Sequence, residues 1–360
     1  MKRVLIVKMW ALGDILMATP LLTNLRARFP GVEITWLVDS HHADVLRDHP
    51  LIDDLVVFDS GRWRRLLRRG KLLSWLAEGR DLHRSMRERQ FDTAINCHPE
   101  KWWTRLLCPA LVRVGLYPSP NLTMTGRLYT HSRPKPLGLH STDDYLLGLE
   151  ALGQSGPFSR RMALEVSERS EENCREFLRD QPEFCVGMPL VVLHPGASQP
   201  SKCWPLENFA TVAAGLSNRC NLVITGSNSE QPLAEAISSL LPDGVRRPMI
   251  AAGRVETIGT AAALIRQASA VVTGDTSALH LASALGTPVV GIYGSTRPGD
   301  NAPLFGESVL LYDDAVPCAP CYKAQCPLAD AEYLRCLRAV TPVQVLAALD
   351  VFLKESEKKT

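Results

Sequence analysis

The absences in this chain remove most of the common nucleotide and hydrolase chemistries. None of its 24 glycines stands two residues from another, so there is no Gly-x-Gly and no dinucleotide fingerprint of the usual dehydrogenase form. Gly-Lys-Ser/Thr is missing, which removes a Walker-type phosphate loop, and neither a Gly-x-Ser-x-Gly elbow nor a His-Glu-x-x-His zinc motif occurs. An excess of one charge is also lacking. The net charge is +2, which gives no global case for nucleic acid, so any polyanion must be met by a local patch. No apolar run approaches the roughly 18 residues of a membrane-spanning helix. Lys2-Arg3 before apolar residues imitates a secretory leader, but Lys8 and Asp14 interrupt the apolar segment, and the chain is expected in the cytoplasm.

What is present reads as globular protein. The 360 residues are 46% hydrophobic and 22% charged, a composition that suits two domains, each able to bury its own core. Ten cysteines include six scattered ones (Cys97, Cys108, Cys174, Cys185, Cys203, Cys220) and four gathered at Cys318, Cys321, Cys326 and Cys336.

The stretch 271–300 organises the rest. Apolar Ala270–Val272 before Gly274-Asp275 predicts the end of a buried strand, and Ala278, Leu281, Ala282 and Leu285 fall at helical spacing before Gly286 and Pro288. Val289–Tyr293 predicts the next parallel strand. The turn between strand and helix offers backbone N–H groups to an anion, with Asp275 or Thr276 as helix cap and the hydroxyls of Thr276 and Ser277 beside it. An ordinary capped helix explains the same residues.

In the first half, Arg3–Lys8 predicts a strand, Met9–Asp14 a loop and Ile15–Phe29 a single helix ended by Pro30-Gly31. Gly13-Asp14 then lies at the carboxyl edge of the first strand, where open α/β sheets place their sites; an Asp there also serves as a helix N-cap. Arg62, Arg64, Arg65, Arg68, Arg69 and Lys71 follow one another with no acid between Asp59 and Glu78. Interleaved with Trp63 and Trp75, they suggest a grip on an anionic surface or phosphorylated ligand, although such a run also makes a plain solvated helix face. Residues 119–136, with Arg127, His131, Arg133 and Lys135, read as a long surface loop. A polar connector over 153–189, with one short helix near 171–179, marks the domain boundary. The second half repeats strand, polar loop and helix: Leu190–Leu193 runs into His194-Pro195-Gly196-Ala197-Ser198, and Leu222–Thr225 into Gly226-Ser227-Asn228-Ser229-Glu230.

The opening VKMWALGDILMATPLL, the HPGAS turn followed by Lys202, Trp204 and Pro205, the ITGSNSE segment, the block GDTSALHLASALGTPVVGIYGST and the late cysteines occur in this order. Together they resemble the ADP-heptose:lipopolysaccharide heptosyltransferases, glycosyltransferase family 9, with the cysteine group most like that of the second core heptosyltransferases. The segment 62–187 matches in outline. The resemblance implies an α/β GT-B architecture of two Rossmann-like, doubly wound domains facing across a cleft, with an acceptor domain over 1–180, a nucleotide-sugar domain over 189–340, and a C-terminal helix and tail over 341–360 that crosses back to the first domain. It implies an inverting, single-displacement transfer of heptose from ADP-heptose to the inner core of lipopolysaccharide or lipooligosaccharide, with no cofactor required and the acceptor met at the cytoplasmic face of the inner membrane.

The same resemblance assigns the general base to Asp14, the ribose hydroxyls to Glu230 and a sugar contact to Asp275. Ser198, Lys202, Thr276 and Ser277 are placed around the diphosphate, with His280 supporting the loop. Ala197 stands where some relatives carry a second hydroxyl, which shifts weight to Ser198 and the backbone. Arg62, Arg64, Arg65 and Arg68 lie on the half expected to take the acceptor. A protein (autotransporter) heptosyltransferase or another nucleotide-sugar transferase of the same fold, and a non-catalytic nucleotide-binding module, are the other readings; loss of Asp14 would mark the last, and Asp14 is present. The cysteine spacing C-x2-C-x4-C-x9-C also suits a tetrahedral zinc or iron site, although reduced thiols packing a loop, or a redox-sensitive pair, are the ordinary explanation.

Overall fold

In a computed structural model, residues 1–98, 101–117, 129–134, 136, 138–255 and 257–357 are described. The chain divides into two units, Met1–Glu165 and Val166–Thr360.

The first unit runs β1 (Arg3–Val7), α1 (Leu12–Ala18), α2 (Pro20–Arg28), β2 (Glu33–Asp39), β3 (Asp54–Phe58), α3 (Ser60–Arg68), α4 (Leu72–Glu88), β4 (Thr93–Asn96), β5 (Val112–Tyr117), β6 (His131–Pro134) and α5 (Ser141–Ala151). Its six strands form one sheet in the order β3-β2-β1-β4-β5-β6. Every pairing is parallel, for example Val4 opposite Ile34 on one side and Thr93 on the other. Parallel strands covered on both faces are near-continuously apolar, and Val4, Leu5, Ile6 and Val7 are fully buried.

The helix expected over 15–29 is two helices. Pro20 lacks the N–H that a continuous helix needs and opens α2 at its first position. The helix also begins earlier than expected: α1 starts at Leu12 behind Ala11, whose φ is 63°, so Asp14 stands in its first turn and not in the preceding loop. Within the stretch read as a loop over 119–136, His131–Pro134 pairs with Val114–Tyr117 as the edge strand, a position that leaves Pro134 no interior ladder bond to forfeit. Arg127 and Lys135 lie outside the described residues.

The second unit contains α6 (Glu168–Arg179), β7 (Leu190–His194), α7 (Leu206–Leu216), β8 (Asn221–Ile224), α8 (Gln231–Ser239), β9 (Met249–Ile250), α9 (Ile258–Gln267), β10 (Ala270–Gly274), α10 (Ser277–Leu285), β11 (Val289–Ile292), α11 (Pro298–Asn301), β12 (Ser308–Leu311), α12 (Arg335–Arg338) and α13 (Pro342–Glu357). Its strand order, β12-β11-β10-β7-β8-β9, repeats that of the first sheet. Both are the doubly wound Rossmann order, with a switch point between β1 and β4 in one unit and between β7 and β10 in the other.

Two boundaries differ from the sequence expectation. The chain divides after Glu165, so α6, expected at the end of a first domain reaching 180, belongs to the second unit; it packs on α9, and Gln267 Nε2 lies 3.4 Å from Cys174 Sγ. The C-terminal helix, expected to cross back to the first domain, packs in the second core through Val345, Leu349, Phe352 and Leu353. Trp204 locks the floor of that core. It is 1% exposed, and its Nε1 donates to the carbonyls of Leu337 and Val340 at 3.1 and 3.0 Å.

Candidate active site

At the first switch point, β1 is followed by Lys8 and Met9. Lys8 is an ammonium 3% exposed, donating from Nζ to Asp14 Oδ2 at 3.2 Å and lying 5.4 Å from the centre of the Tyr145 ring. The cap position of α1 is held by Ala11 with no side-chain hydrogen bond, so Asp14 is not the cap. Its carboxylate is about two-fifths exposed and remains accessible to a ligand.

Around this pair stands a polar layer that the sequence did not reveal. Asp39, at the end of β2, accepts from the Ser60 N–H at 3.1 Å, from the Ser60 hydroxyl, and from the His41 N–H at 3.1 Å. Burial pushes Asp39 up, but the bonds from Ser60 and His41 outweigh it and hold the group below the ordinary carboxylate range. Trp10 Nε1 donates to Ser60 Oγ at 2.9 Å, and its ring lies 4.6 Å from that of His98. His98 Nε2 accepts from the Met9 N–H at 3.2 Å. Burial, with Lys8 and Lys101 nearby, pushes His98 down to about 2. Lys8 was legible only as a lysine interrupting an apolar strand, and the Asp39–Ser60–Trp10 chain had no motif to announce it.

Histidines held neutral make stability pH-dependent in a definite direction. Burial is the largest influence on His42, His49, His98 and His194, and each is held below the usual 6.5. A depressed histidine contributes fully above the unfolded value and loses its contribution as pH falls below it, because the unfolded chain then takes up a proton that the native site refuses. For His98, the expected loss is ~1.4 kcal/mol per pH unit, or roughly 2 kcal/mol by about pH 5. Chemical denaturation at about pH 7 and pH 5 measures it. His98→Gln should flatten the slope, and equal stability at both pH values would refute the assignment.

The arginine run is more engaged than its sequence suggests. It forms α3, capped by Asp59 accepting from the Arg62 N–H. Arg62 pairs with Glu78 at 2.8 Å, Arg65 reaches Asp59 at 3.8 Å, and Arg64 Nε donates to the Ser60 carbonyl at 3.2 Å. The expectation of six cations without a counter-charge is therefore corrected: α4 folds back on α3 and brings Glu78, distant in sequence, alongside Arg62. Among the described residues, Arg68, Arg69 and Lys71 pair with no acid.

At the second switch point, Asp275 follows β10 but does not cap α10. Thr276 does, accepting from the Ala278 N–H at 3.3 Å, with its hydroxyl 2.8 Å from that of Thr273. Asp275, 4% exposed at its side chain, accepts from Lys202 Nζ at 2.7 Å and from Thr296 Oγ1 at 2.8 Å. Lys202, expected as a cation beside the diphosphate, is also paired with Asp275; two of its three N–H donors remain for another acceptor. Gly274 permits the approach, since a Cβ there would fall 2.7 Å from the Lys202 carbonyl.

Glu230 closes a capping box with Ser227, accepting from its N–H at 2.7 Å and its hydroxyl at 2.8 Å. The same carboxylate lies over Gly196, where a Cβ would stand 1.9 Å from Oε1. The HPGAS turn and the GSNSE turn therefore touch through Glu230, and only glycine fits between them. Ser198 is exposed on the first of these turns, Ser277 opens α10 half-buried, and His280 is buried one turn further on. Thr296, missed by the sequence reading, also lines a cavity of about 320 Å³ with Tyr293, Arg297, Tyr312 and Asp313.

The four late cysteines do converge, around a cavity of about 20 Å³ beside Ser201 and Ser295. Burial pushes the Cys336 thiol up against a hydrogen bond from the Leu337 N–H, and its sulfur packs so close to Gly294 that a Cβ there would fall 2.9 Å away. Among the described residues, no group of three or more His, Cys, Asp or Glu side chains is disposed to hold a metal ion.

Two Rossmann-type units, each gathering polar side chains at its own switch point, are the build of the GT-B glycosyltransferases. The chain belongs to glycosyltransferase family 9 (heptosyltransferase), whose description it matches over residues 80–332, and it is a glycosyltransferase. It is 26% identical over 376 residues to lipopolysaccharide heptosyltransferase 1 of Pseudomonas aeruginosa, covering 99% of each chain. A glycosyltransferase family 9 structure from Veillonella parvula superposes with a TM-score of 0.80 at 22% identity, over 98% of this chain and 97% of that one. The E. coli ADP-heptose lps heptosyltransferase II gives 0.76 at 22% identity, over 99% and 100%. At these identities the two structures establish the fold.

Proposed function

We propose that the protein is an inverting heptosyltransferase that moves a heptose from ADP-heptose to the inner core of lipopolysaccharide or lipooligosaccharide. The acceptor oxygen attacks the anomeric carbon as the bond from that carbon to the diphosphate oxygen breaks. Asp14 takes the proton of the attacking hydroxyl, and ADP leaves with the bonding pair. The observation that carries this reading is the state of Asp14: an accessible carboxylate at a switch point, not spent on capping, anchored by a buried lysine.

In the second unit the remaining donors of Lys202, the Ser198 hydroxyl and the N–H groups at the start of α10 meet the charge growing on the diphosphate. A preorganised donor of this kind is worth ~3 kcal/mol in the transition state. Thr276 contributes by fixing that helix start, because its hydroxyl is engaged with Thr273 and Ala278. Asp275 holds Lys202 and Thr296 in place, with the sugar contact as its further role. Glu230 offers Oε1 to the ribose hydroxyls, and His280 supports α10 from beneath. Arg64, Arg65 and Arg68, with Arg62 shared with Glu78, grip phosphates or carboxylates of the acceptor at the cytoplasmic face of the inner membrane. No helix among the described residues is long and apolar enough to cross a membrane.

Calorimetry against ADP, UDP and GDP tests the donor assignment. ADP should bind most tightly, and Glu230→Ala should weaken it by roughly 10–100-fold through loss of charge-assisted hydrogen bonds. Equal or tighter binding of UDP would remove ADP-heptose as the donor.

A further inference from the structure

Beyond the arginines placed on the acceptor, the α3–α4 hairpin carries features that sugar transfer does not use. From Ser60 to Glu88 it holds nine Lys and Arg against three Asp and Glu, in a chain whose total is +2. At its turn four leucines face solvent: Leu67 and Leu76 are about half exposed, Leu72 is 52% exposed and Leu73 is 84% exposed. Single exposed leucines are ordinary, but four around one turn, beside Arg68, Arg69 and Lys71, which pair with no acid among the described residues, form a patch that is apolar at the tip and cationic at the shoulders.

The patch is held stiffly. Trp63 of α3 stacks on Trp75 of α4 with centroids 4.9 Å apart and planes 18° from parallel, and its Nε1 donates to the Trp75 carbonyl at 2.9 Å. Below the turn, Trp75, Leu76 and Gly79 of α4 line an apolar cavity of about 310 Å³ with Trp63, Trp103 and Leu107. Leu72 and Leu73 continue that stripe toward the turn, at i−4 and i−3 from Leu76. An apolar strip that runs from a half-open cavity to a solvent-exposed tip, flanked by cations and edged by two tryptophans, suits insertion at the head-group level of a bilayer.

We infer that the α3–α4 hairpin docks the protein on anionic bilayers, its turn leucines entering the acyl boundary while Arg69 and Lys71 meet lipid phosphates. This deepens, and rests on, the reading of a transferase whose acceptor lies in a membrane. Charge complementarity selects the partner: a neutral apolar surface would leave the excess of six cations unanswered, and an anionic protein would not account for Leu73.

The full chain is tested by co-sedimentation with phosphatidylethanolamine vesicles containing phosphatidylglycerol, and with phosphatidylcholine vesicles alone. The intact protein should bind the anionic vesicles, the neutral ones much less, and lose binding as salt is raised. Leu72→Ser with Leu73→Ser should weaken vesicle binding by about tenfold or more with the melting temperature unchanged, since both side chains are exposed. Arg69→Ser with Lys71→Ser should weaken binding mainly at low salt. Unchanged binding of the leucine variant overturns the inference, as does equal binding to both vesicle types. So does a change of oligomeric state in that variant with vesicle binding intact, which would make the patch a self-association face. Transfer to a deacylated, soluble acceptor is measured on the same preparations. It should survive the leucine substitutions; its absence in the intact protein would overturn the transferase reading without touching the docking result.

Discussion

Asp14→Asn is expected to abolish glycosyl transfer, by about 10²–10⁴-fold in kcat, while ADP affinity stays within a few-fold. The substitution keeps the shape and hydrogen-bonding reach of the side chain and removes its basicity. The groups proposed for the nucleotide (Ser198, Lys202, Glu230 and the start of α10) all belong to the other unit, so the donor should bind as before. The structure narrows what a stability change would mean. A helix cap would tolerate Asn almost perfectly, but the cap position is Ala11 and Asp14 is bonded to Lys8 instead. Asn can still accept from the buried ammonium, though as a neutral partner, and a loss of roughly 1–2 kcal/mol is expected. That corresponds to a few degrees in melting temperature, too little to account for inactivity at ordinary assay temperatures. Turnover near that of the intact protein would remove Asp14 from the mechanism, and Asp275 would become the next carboxylate to test.

Lys202→Met should be costly twice over, and the two costs can be separated. Asp275 is 4% exposed at its side chain and keeps Thr296 as its remaining partner once Lys202 is gone. Breaking a buried ion pair from one side typically costs about 3–5 kcal/mol, because a desolvated charge is left behind. At roughly 2–4 °C per kcal/mol for a unit of this size, the melting temperature should fall by about 6–20 °C. ADP binding should fall as well, through loss of the two donors that Lys202 keeps available. Removing both partners, Lys202→Met with Asp275→Leu, should restore most of the stability and none of the ADP affinity. A double variant that recovers ADP binding would show that Lys202 serves the fold alone. A single variant with unchanged melting temperature would show that the pair contributes nothing to the native state.

Much of the fold was legible because parallel strands buried on both faces leave an unmistakable trace. Val4–Val7, Leu190–Leu193 and Ala270–Val272 are short apolar runs ended by polar loops, and each is a central strand beside a switch point. The α10 boundaries were legible for local reasons: Gly286 takes φ 74° at the C-cap, which only glycine adopts without strain. The break between α1 and α2 was carried by Pro20 and was readable, yet apolar periodicity running through it outweighed one residue. The C-terminal helix was misplaced because its apolar face, with Val345, Leu349 and Phe352, fits any covering role; periodicity states that a face is buried and not what buries it.

The sequence by itself determined two Rossmann-type units, the loops that carry their polar groups, and the family, because strand hydrophobicity, glycine placement and loop motifs are local properties of the chain. Tertiary structure alone decided what those groups do to one another. It set Lys202 against Asp275, seventy-three positions away, laid Glu230 over Gly196, returned Glu78 to Arg62, and buried Lys8 beneath Asp14. Whether a charge is available or already neutralised depends on distances of a few ångströms between residues far apart in the chain. At such ranges an ion pair outweighs any intrinsic preference of either residue, and no spacing along the sequence encodes it.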